Sequence, residues 1–462
     1  MELTVSEYFD GLRGRRVAVV GLGISNRPLV RMLLERGFSV ECRDRTPREK
    51  LLPEVLELER MGAKLTLGED YLEDIQADVV FRTPGLNAFC PQLMALREQG
   101  TLVTSEMEAF FAVCPCPIFG VTGSDGKTTT TTLIAKLLEG AGRTVWCGGN
   151  IGTPLLPLAE KMTPEDVAAV ELSSFQLMGM ETSPRTAVLT NLSPNHLDIH
   201  KDMEEYVTAK ENLYLHQRPG DRTVLNLDND ITRSFIPKVK GDLMTFSRLT
   251  RPEKGYYLRE DGMICRIDGQ DEQEILPASE ILIPGVHNIE NYMAAFCAVD
   301  GLVPAAVMVS LAGSFGGVAH RIQLIREKDG VKYYDSSIDS SPNRTKAALR
   351  SFAGKVIMIA GGKDKGIGYD DLGPELREHV KLLVLTGMTA GKIRAAAEKV
   401  PGYDGTNPEI LDVEEFDDAI RAAAARARSG DVVILSPAST SFDRFRNFEE
   451  RGQRFQSVVN SL

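Results

Sequence analysis

The sequence predicts an α/β protein built on mostly parallel β-sheets. Short runs rich in β-branched and other apolar residues alternate with amphipathic stretches from end to end, and this alternation is typical of parallel β-α-β units. The 462 residues exceed what one core usually holds, and a typical length of about 150 residues per domain gives about three domains. We expect their boundaries at 1–105, 106–316 and 317–462.

Strand and helix positions follow from the apolar pattern. Amphipathic stretches predict helices at 127–139, from 288 onward and at 416–428. The charged, turn-rich stretch 240–285 predicts hairpins at the edge of the central domain. The apolar runs that we expect to form strands are 16–20, 38–42, 78–81, 117–121, 167–172, 186–191, 331–335, 355–360, 382–386 and 431–436.

The composition is that of a soluble globular protein, with 43% hydrophobic and 26% charged residues. No apolar run reaches the roughly 18 residues of a membrane span, and the first residues lack the order of a signal peptide, so we expect a cytoplasmic protein. The seven cysteines are scattered and odd in number, which favours reduced thiols. The net charge of -12 is spread along the chain and argues against a nucleic-acid partner.

A glycine-rich turn, Gly123-Ser-Asp-Gly-Lys-Thr128, stands between a predicted strand and a predicted helix. Exposed N–H groups and the helix dipole favour phosphate there, and Lys127 can reach its β and γ groups. Thr128 would bind Mg²⁺ through its hydroxyl. Strict P-loop spacing would put glycine at Val121, so the loop is a variant, and an ordinary strand-to-helix turn is the alternative. The residues expected to contact ATP here are Gly123, Ser124, Asp125, Gly126, Lys127, Thr128 and Thr129.

A second glycine-rich turn, Gly21-Leu-Gly-Ile-Ser25, follows the first predicted strand. Asp44 ends the next strand about 20 residues on, which makes half of a dinucleotide-binding fingerprint. Asn26 stands where the third glycine would be, so a nicotinamide-dependent oxidoreductase is the lesser interpretation. A uridine or other nucleoside diphosphate could use the same N–H groups. The turn Thr83-Pro-Gly85, at the end of another strand, could line the same crevice.

Further motifs run through the whole chain in a fixed order. They are the loop 122–129, Glu171-Leu-Ser-Ser-Phe-Gln-Leu177, Asn191-Leu-Ser-Pro-Asn-His-Leu-Asp198, Lys210, His287-Asn288 with Asn291, His320-Arg321, Asp335-Ser336 and Leu435-Ser-Pro-Ala-Ser-Thr-Ser441. With these motifs the chain resembles the Mur ligase family over its full length. The resemblance implies a Rossmann-like first domain, a central P-loop ATPase-like domain with a mostly parallel sheet, and a Rossmann-like third domain.

The resemblance implies an ATP-dependent ligase that activates a carboxylate as an acyl phosphate and joins it to an amine. The segment 173–177 and the run from Ser436 to Phe448 are most similar to the members that add D-glutamate. The implied substrates are UDP-N-acetylmuramoyl-L-alanine, D-glutamate and ATP, in peptidoglycan precursor synthesis, and a monomer is expected. Another Mur-type ligase or a folate-type amide ligase is the alternative.

The resemblance also implies which side chains carry the chemistry. Lys127 would meet the phosphates, and Glu171 would hold Mg²⁺ beside Thr128. His196 would be a ligand of a second Mg²⁺ ion. Lys210 matches the family lysine that CO₂ converts to a carbamate, which turns a cation into a metal-binding anion; an ordinary surface lysine is the alternative.

Three groups of ligand contacts are implied as well. Adenosine and its ribose would meet Asn288, Asn291, Arg321 and Asp335. The uridine nucleotide would meet Gly23, Ile24, Ser25, Asp44, Arg45, Thr46 and Gly85, with Asn150 towards the muramoyl or peptide end. The amino acid would meet Lys365, Ser441 and Phe448. Asp339 stands where the family's Asp-Ser-Lys-Ala-Thr pattern has threonine, so its contact with the amino acid is open.

Overall fold

Three β-sheets form the framework of the computed structural model, which describes residues 3–194 and 200–462. Most neighbouring strands are parallel and are connected through helices, so the predicted α/β class is confirmed. The chain divides into two compact units, Met1–Ala278 with Glu290–Leu311 and Ser279–Ile289 with Ala312–Leu462. The first unit contains two of the sheets and the second contains the third. The domain boundaries at 105 and 316 stay predictions.

Five parallel strands make up the first sheet: β1 (Val17–Val20), β2 (Val40–Asp44), β3 (Lys64–Leu67), β4 (Val79–Arg82) and β5 (Leu102–Ser105). Their order is β3-β2-β1-β4-β5, so the winding reverses between β1 and β4. Ligands of such sheets bind at the carboxyl ends of the strands beside this reversal. The helices of this region are α1 (Val5–Asp10), α2 (Asn26–Glu35), α3 (Pro53–Arg60), α4 (Pro91–Glu98) and α5 (Glu106–Val113).

Nine strands make up the second sheet: β6 (Ile118–Thr122), β7 (Val145–Gly149), β8 (Val167–Glu171), β9 (Thr186–Leu189), β10 (Arg222–Asn226), β11 (Asp242–Ser247), β12 (Lys254–Leu258), β13 (Met263–Asp268) and β14 (Asp271–Pro277). Their order is β14-β13-β12-β11-β10-β9-β6-β8-β7. The central strands β6, β8 and β9 are buried along their whole length, as expected for a parallel sheet covered on both faces. The helices here are α6 (Lys127–Gly140), α7 (Ser174–Leu177), α8 (Met203–Leu215) and α9 (Asp230–Arg233).

The hairpins predicted within 240–285 are confirmed for β12, β13 and β14, which pair antiparallel in sequence order. The prediction is wrong for β11, which pairs parallel with both β10 and β12. The connection from β10 to β11 contains helix α9 and is long enough for the crossover that parallel pairing needs. Charge and turn composition alone do not distinguish such a crossover from a hairpin.

One apolar core joins the first two sheets. It contains Val5 and Val19 from the first-sheet region together with Val170, Leu189 and Phe235 from the second. All five are at most 5% exposed. Burial of apolar surface is the main stabilising term in folding, so the two sheets depend on the same packing.

The second unit is built on a six-stranded sheet, and α10 (Val286–Val299) and α11 (Ala305–Ala312) precede its strands in the sequence. The strands are β15 (Gln323–Lys328), β16 (Val331–Asp335), β17 (Val356–Ala360), β18 (Val380–Leu385), β19 (Glu409–Asp412) and β20 (Val432–Leu435), in the order β15-β16-β20-β17-β18-β19. Only β15 is antiparallel to its neighbour among these described strands. The helices are α12 (Pro342–Leu349), α13 (Gly373–His379), α14 (Ala390–Glu398), α15 (Phe416–Arg426) and α16 (Phe448–Ser461).

Each glycine-rich or acidic motif singled out from the sequence falls at the carboxyl end of a parallel strand. The turn at Gly21 follows β1, the loop at Gly123 follows β6, and Glu171 ends β8. In the second unit, Asp335 ends β16. Within residues 3–194 and 200–462, no helix combines the length and apolar character needed to span a bilayer.

Candidate active site at the ends of the central strands

The loop predicted to bind phosphate lies between β6 and α6. Gly123 has a φ of 154° and Gly126 a φ of 79°, values that favour glycine. A Cβ atom at 123 would lie 1.9 Å from Oγ1 of Thr190, and one at 126 would lie 2.3 Å from Oδ1 of Asn291. Close packing therefore requires glycine at both positions. Gly126 also caps the N-terminus of α6, where an anion is favoured.

Two lysine side chains converge on one carbonyl oxygen of this loop. Nζ of Lys127 donates to the carbonyls of Gly123 and Ser124, each at 2.9 Å. Nζ of Lys210 donates to the same Gly123 carbonyl at 2.9 Å and to Oγ1 of Thr122 at 3.0 Å. Lys210 is 2% exposed. Its burial, and then the charge of Lys127, hold the pKa of Lys210 well below the usual value, so the neutral amine is favoured.

Helix α8 carries Lys210 into this position. The side chain of Asp202 caps the helix by accepting the N–H of Glu205 at 2.9 Å, and acidic residues in the first turn suit the helix dipole. Nζ of Lys210 lies 4.9 Å from the ring centroid of Tyr206, one turn earlier. The Tyr206 hydroxyl lies 2.8 Å from Oγ of Ser124, so α8 is tied to the loop at two points.

The other side of the loop is tied to the segment that follows β9. The N–H of Ser124 donates to the carbonyl of Asn191 at 2.8 Å, and the N–H of Asp125 donates to Oδ1 of Asn191 at 3.0 Å. Oγ1 of Thr190 donates to the carbonyl of Asp125 at 2.5 Å. His196 comes later in the same segment but lies outside the described residues, so its role as a metal ligand stays a prediction.

Thr128 and Glu171 meet where α6 begins and β8 ends. Oγ1 of Thr128 donates to Oε2 of Glu171 at 2.7 Å, and Nδ2 of Asn150 donates to Oε1 at 2.8 Å. Glu171 is 2% exposed. Mg²⁺ prefers oxygen ligands and is commonly held by one or two carboxylates together with phosphate oxygens. The hydroxyl and the carboxylate fit such an ion, and the structure brings these two predicted residues into direct contact.

Asn291 contacts helix α6 through a threonine that the sequence did not single out. Oγ1 of Thr130 donates to Oδ1 of Asn291 at 3.3 Å. A run of five threonines gives no signal of which one faces this asparagine, and the predicted contact Thr129 is half-buried in the first turn of α6. In the second unit, Nδ2 of Asn288 donates to the carbonyl of Pro284 at 2.6 Å, which links the first turn of α10 to the segment just before it.

The turn predicted to hold a uridine nucleotide is shaped by Asp44. Its Oδ2 accepts the N–H of Leu22 at 2.6 Å, and its Oδ1 accepts the N–H of Thr46 at 2.8 Å. Oδ2 therefore joins the end of β2 to the turn after β1, and Oδ1 fixes the turn that follows β2. The predicted uridine-nucleotide contacts at this edge of the sheet are Gly23, Ile24, Ser25, Asp44, Arg45 and Thr46.

The segment with Gly85 lies against the same turn. A Cβ atom at Gly21, which has a φ of 82°, would lie 2.4 Å from Cγ2 of Thr83. Asn26 is fully buried, and its Nδ2 donates to the carbonyl of Gly21 at 2.8 Å. From the sequence, Asn26 marks only a missing glycine. In the structure its side chain fixes the turn, which explains why a third glycine is not needed there.

His320 and Asp335 form the centre of a polar cluster in the second unit. Nδ1 of His320 lies 2.8 Å from Oδ2 of Asp335, which raises the pKa of His320 above 6.5. Asp335 also accepts the N–H of Ser337 at 2.8 Å and Nε2 of Gln456 at 2.9 Å, and it is fully buried. Arg321, the predicted nucleotide contact next to His320, is half-buried. Contact of Asp335 with a ribose, which stays a prediction, would require one of these bonds to be exchanged.

Arg451, in the first turn of α16, belongs to this cluster and was missed from the sequence. It is 2% exposed, and its terminal nitrogen donates to the carbonyls of Ser337 at 2.8 Å and Ser439 at 3.0 Å. Its Nε and other terminal nitrogen find no acceptor among the described residues. A Cβ atom at Gly452 would lie 2.2 Å from Nδ1 of His320, so this glycine lets α16 approach the cluster. No local motif marks Arg451, because its partners lie in distant segments.

The three residues predicted to hold the amino acid lie at the same edge of the third sheet. The N–H of Lys363 donates to the carbonyl of Thr440 at 2.8 Å, which brings the segments of Lys365 and Ser441 side by side. Lys365 is exposed and Ser441 is buried. Phe448 opens α16, and its ring centroid lies 6.0 Å from that of His320.

Asp339, whose contact with the amino acid was open, is buried in the second unit at 5% exposure. Its Oδ2 accepts the hydroxyl of Ser436 at 2.8 Å, and that hydroxyl lies 2.9 Å from Oγ1 of Thr345. Burial is the main reason that the pKa of Asp339 rises to about 6. The side chain of Asp339 therefore binds to the residue after β20 and is linked to α12 only through that hydroxyl.

Comparison with protein families identifies the family of the chain. Residues 121–299 match the model of the Mur ligase middle domain, and residues 320–439 match that of the Mur ligase glutamate ligase domain. Together these matches cover more than half of the chain. The chain belongs to the Mur ligase family. The family implies the use of ATP and Mg²⁺, and it leaves no support for the nicotinamide-dependent oxidoreductase alternative.

Relatives match the chain from end to end. Proteins of Acetivibrio thermocellus, Ruminiclostridium cellulolyticum and Clostridium novyi, each named UDP-N-acetylmuramoylalanine–D-glutamate ligase, are 50%, 46% and 46% identical, with 100% of both chains covered. The structure of a UDP-N-acetylmuramate-alanine ligase from Thermotoga maritima has a TM-score of 0.57 at 17% identity and covers 97% of this chain and 99% of that one. That identity supports the fold alone.

Proposed function

We propose that this chain joins D-glutamate to UDP-N-acetylmuramoyl-L-alanine, with ATP as the energy source, in peptidoglycan precursor synthesis. The observation that carries the proposal is the contact between Thr128 and Glu171 at 2.7 Å beside a phosphate-type loop. Such a pair can hold the Mg²⁺ ion that phosphoryl transfer uses. Full-length relatives that carry this ligase name support the choice of substrates.

The reaction begins with transfer of the γ-phosphoryl group of ATP to the alanyl carboxylate, which gives an acyl phosphate and ADP. Lys127 neutralises charge on the phosphates as it develops, because its ammonium lies within the loop that would surround them. Thr128 and Glu171 would hold Mg²⁺, which would supply further charge neutralisation. The amine of D-glutamate then attacks the acyl carbon, and phosphate leaves as the amide bond forms.

We also propose that Lys210 is carbamylated. Addition of CO₂ to a lysine requires the neutral amine, forms an N–C bond and releases one proton. The burial of Lys210 and its closeness to Lys127 favour that neutral form. The product is an anion, which the charge of Lys127 would stabilise and which could serve as a metal ligand.

Each substrate would meet the residues that the family resemblance implies. The uridine nucleotide would occupy the Asp44 turn, and Asn150, which donates to Glu171, would face the muramoyl or peptide end. Binding energy from the remote nucleotide would hold the alanyl carboxylate in line for phosphoryl transfer. Lys365, Ser441 and Phe448 would hold D-glutamate. The second Mg²⁺ ion, the cytoplasmic location and the monomeric state stay predictions.

The test is phosphate release from ATP and Mg²⁺ in the presence of UDP-N-acetylmuramoyl-L-alanine. D-glutamate, L-glutamate, L-alanine, L-lysine and diaminopimelate are offered in parallel. Release with D-glutamate alone is expected. Release with a different amino acid would retain a Mur-type ligase and overturn the substrate assignment, and no release with any of them would overturn the proposed carboxylate substrate.

A further inference from the structure

A buried arginine connects the first sheet with the segment that follows Glu171. Arg82 is the last residue of β4 and is 2% exposed. Its guanidinium donates to three main-chain carbonyls: Leu86 at 3.3 Å, Phe175 at 3.1 Å and Met178 at 2.7 Å. The first acceptor lies in the loop that contains Gly85. The other two lie at the end of α7.

The segment that Arg82 holds starts directly after the candidate metal ligand. Glu171 ends β8, and α7 begins three residues later, at Ser174. The side chain of Ser173 caps the start of α7, since its Oγ accepts the N–H of Gln176 at 3.2 Å. The carbonyl of Leu177 accepts Nδ2 of Asn212 at 3.0 Å, from the helix that carries Lys210. Arg82 and Asn212 therefore hold the end of α7 from two sides.

The same contact has an apolar component. Ala88 from the first-sheet region, Met178 after α7 and Ala209 beside Lys210 form a small buried cluster. Each is at most 4% exposed. The loop after β4 thus packs against both elements that lead to the candidate catalytic residues.

Arginine suits this position for a physical reason. The last carbonyls of a helix have no partners within the helix and carry partial negative charge. A planar guanidinium can donate to several of them at fixed angles, whereas a lysine ammonium is a single point with a flexible stem. Burying a guanidinium costs free energy unless its N–H groups donate hydrogen bonds. Loss of these bonds should therefore destabilise the contact between α7 and the loop after β4.

We propose that Arg82 is a positioning residue of the ligase reaction: by fixing α7 against the loop after β4, it sets the place of the Glu171 carboxylate relative to a substrate held by the first sheet. The assignment rests on the proposed function. It predicts that Arg82 affects turnover more than binding of the uridine nucleotide, because two of its three bonds, including the shortest, reach α7 and the residue after it.

The experiment compares Arg82→Met and Arg82→Lys with the control Arg97→Met. Arg97 donates to the carbonyl of Ala88 and lies 5.9 Å from the ring centroid of Phe89, so it holds the same loop without reaching α7. We measure kcat, the Mg²⁺ concentration for half-maximal rate, binding of UDP-N-acetylmuramoyl-L-alanine without ATP, and amide hydrogen exchange of residues 172–180.

For Arg82→Met we expect kcat to fall about 100-fold, the size of effect known for small misplacements of reacting groups. The Mg²⁺ requirement should rise, exchange of 172–180 should become faster, and the Kd of the uridine substrate should stay within about 3-fold. Arg82→Lys should recover about 10-fold in kcat over Arg82→Met and serves as the test if the methionine variant does not fold. Arg97→Met should behave as the wild type.

Unchanged hydrogen exchange and kcat in folded Arg82 variants would overturn the assignment. Loss of uridine-substrate binding equal to the loss of kcat would also overturn it, because Arg82 would then shape the first-sheet turn. Wild-type protein that releases no phosphate with any amino acid would overturn the proposed function and the positioning role of Arg82 with it. An active wild type beside an equally active Arg82→Met would overturn only the role of Arg82.

Discussion

Polar clusters at the ends of parallel strands occur in both units of the chain, but their charges are held differently. In the first unit, Lys127 and Lys210 bond to loop carbonyls, and Glu171 bonds to the short polar side chains of its neighbours. In the second unit, His320 is paired directly with Asp335, a buried carboxylate with three partners. Carbonyl bonds are easily exchanged for bonds to a phosphate, whereas an internal ion pair resists exchange. On the proposed function, we therefore expect the first cluster to neutralise phosphate charge and the second to stabilise the fold around it.

The largest effect expected from this comparison is that of Lys127→Ala. Loss of the Lys127 ammonium, which is placed to neutralise the phosphates, should lower kcat about 1000-fold, at the upper end for one preorganised charge. The melting temperature should stay near that of the wild type, since the bonds of Lys127 are to loop carbonyls. Phosphate release and a thermal melt measure both. Lys136→Ala on the same helix, a half-exposed residue paired with Glu139, is the control, and full activity of Lys127→Ala would refute the loop assignment.

A somewhat smaller loss is expected for Lys210→Ala. The variant should lose about 100-fold in kcat, and a short-chain carboxylate such as acetate should restore part of it by replacing the carbamate. The control is Lys240→Ala. This lysine donates to the carbonyl of Leu215, the last residue of α8, and its loss should leave activity intact. Near-normal activity of Lys210→Ala, with no response to acetate, would remove the carbamate from the mechanism.

In the second unit the expected effect is on stability. Gly452→Ala would place a Cβ atom 2.2 Å from His320 and 2.6 Å from Oδ2 of Asp335, so we expect a loss of about 1–3 kcal/mol. Gly391→Ala, in helix α14, meets nothing within 4 Å and should gain up to about 1 kcal/mol from helix propensity. Thermal unfolding of the two variants makes a matched pair. Equal melting temperatures would mean that α16 does not need its close approach to the cluster.

The smallest effect is a dependence on pH. The bond to Asp335 raises the folded-state pKa of His320 above its usual 6.5. The stability that this pair contributes is therefore fully present below about pH 6.5 and is lost as pH rises through the folded-state pKa. His320→Gln should reduce the fall in melting temperature between about pH 6 and about pH 9. An unchanged pH profile would show that the imidazolium does not stabilise this unit.

The sequence was most informative where a function depends on neighbouring residues. Gly126, Lys127 and Thr128 are consecutive, and Glu171 ends an apolar strand. The loop and the glutamate could therefore be recognised before the fold was known. Arg82 could not, because its partners Phe175 and Met178 lie 93 and 96 residues away and are main-chain atoms that no residue type reveals.

The same reasoning applies to the fold. Most buried strands were predicted to within about two residues, in keeping with the usual uncertainty of element ends. The central strand β10 was not predicted, although four of its five residues are buried. Edge strands β3 and β19 escaped because they have no fully buried residue and so no continuous apolar run. Arg451 escaped because its partner Ser337 lies 114 residues away, and only the folded sheet places the two together.

The core shared by the first two sheets has a consequence for how the protein is made. Val5 and Phe235 belong to the same apolar cluster, so packing of the N-terminal sheet is complete only when a much later segment arrives. At about 5–20 residues per second, synthesis as far as Phe235 takes about 10–50 s. From the completion of β5 at Ser105 until Phe235 is made, the part of this core that the second sheet covers stays exposed, and a chaperone has time to bind there.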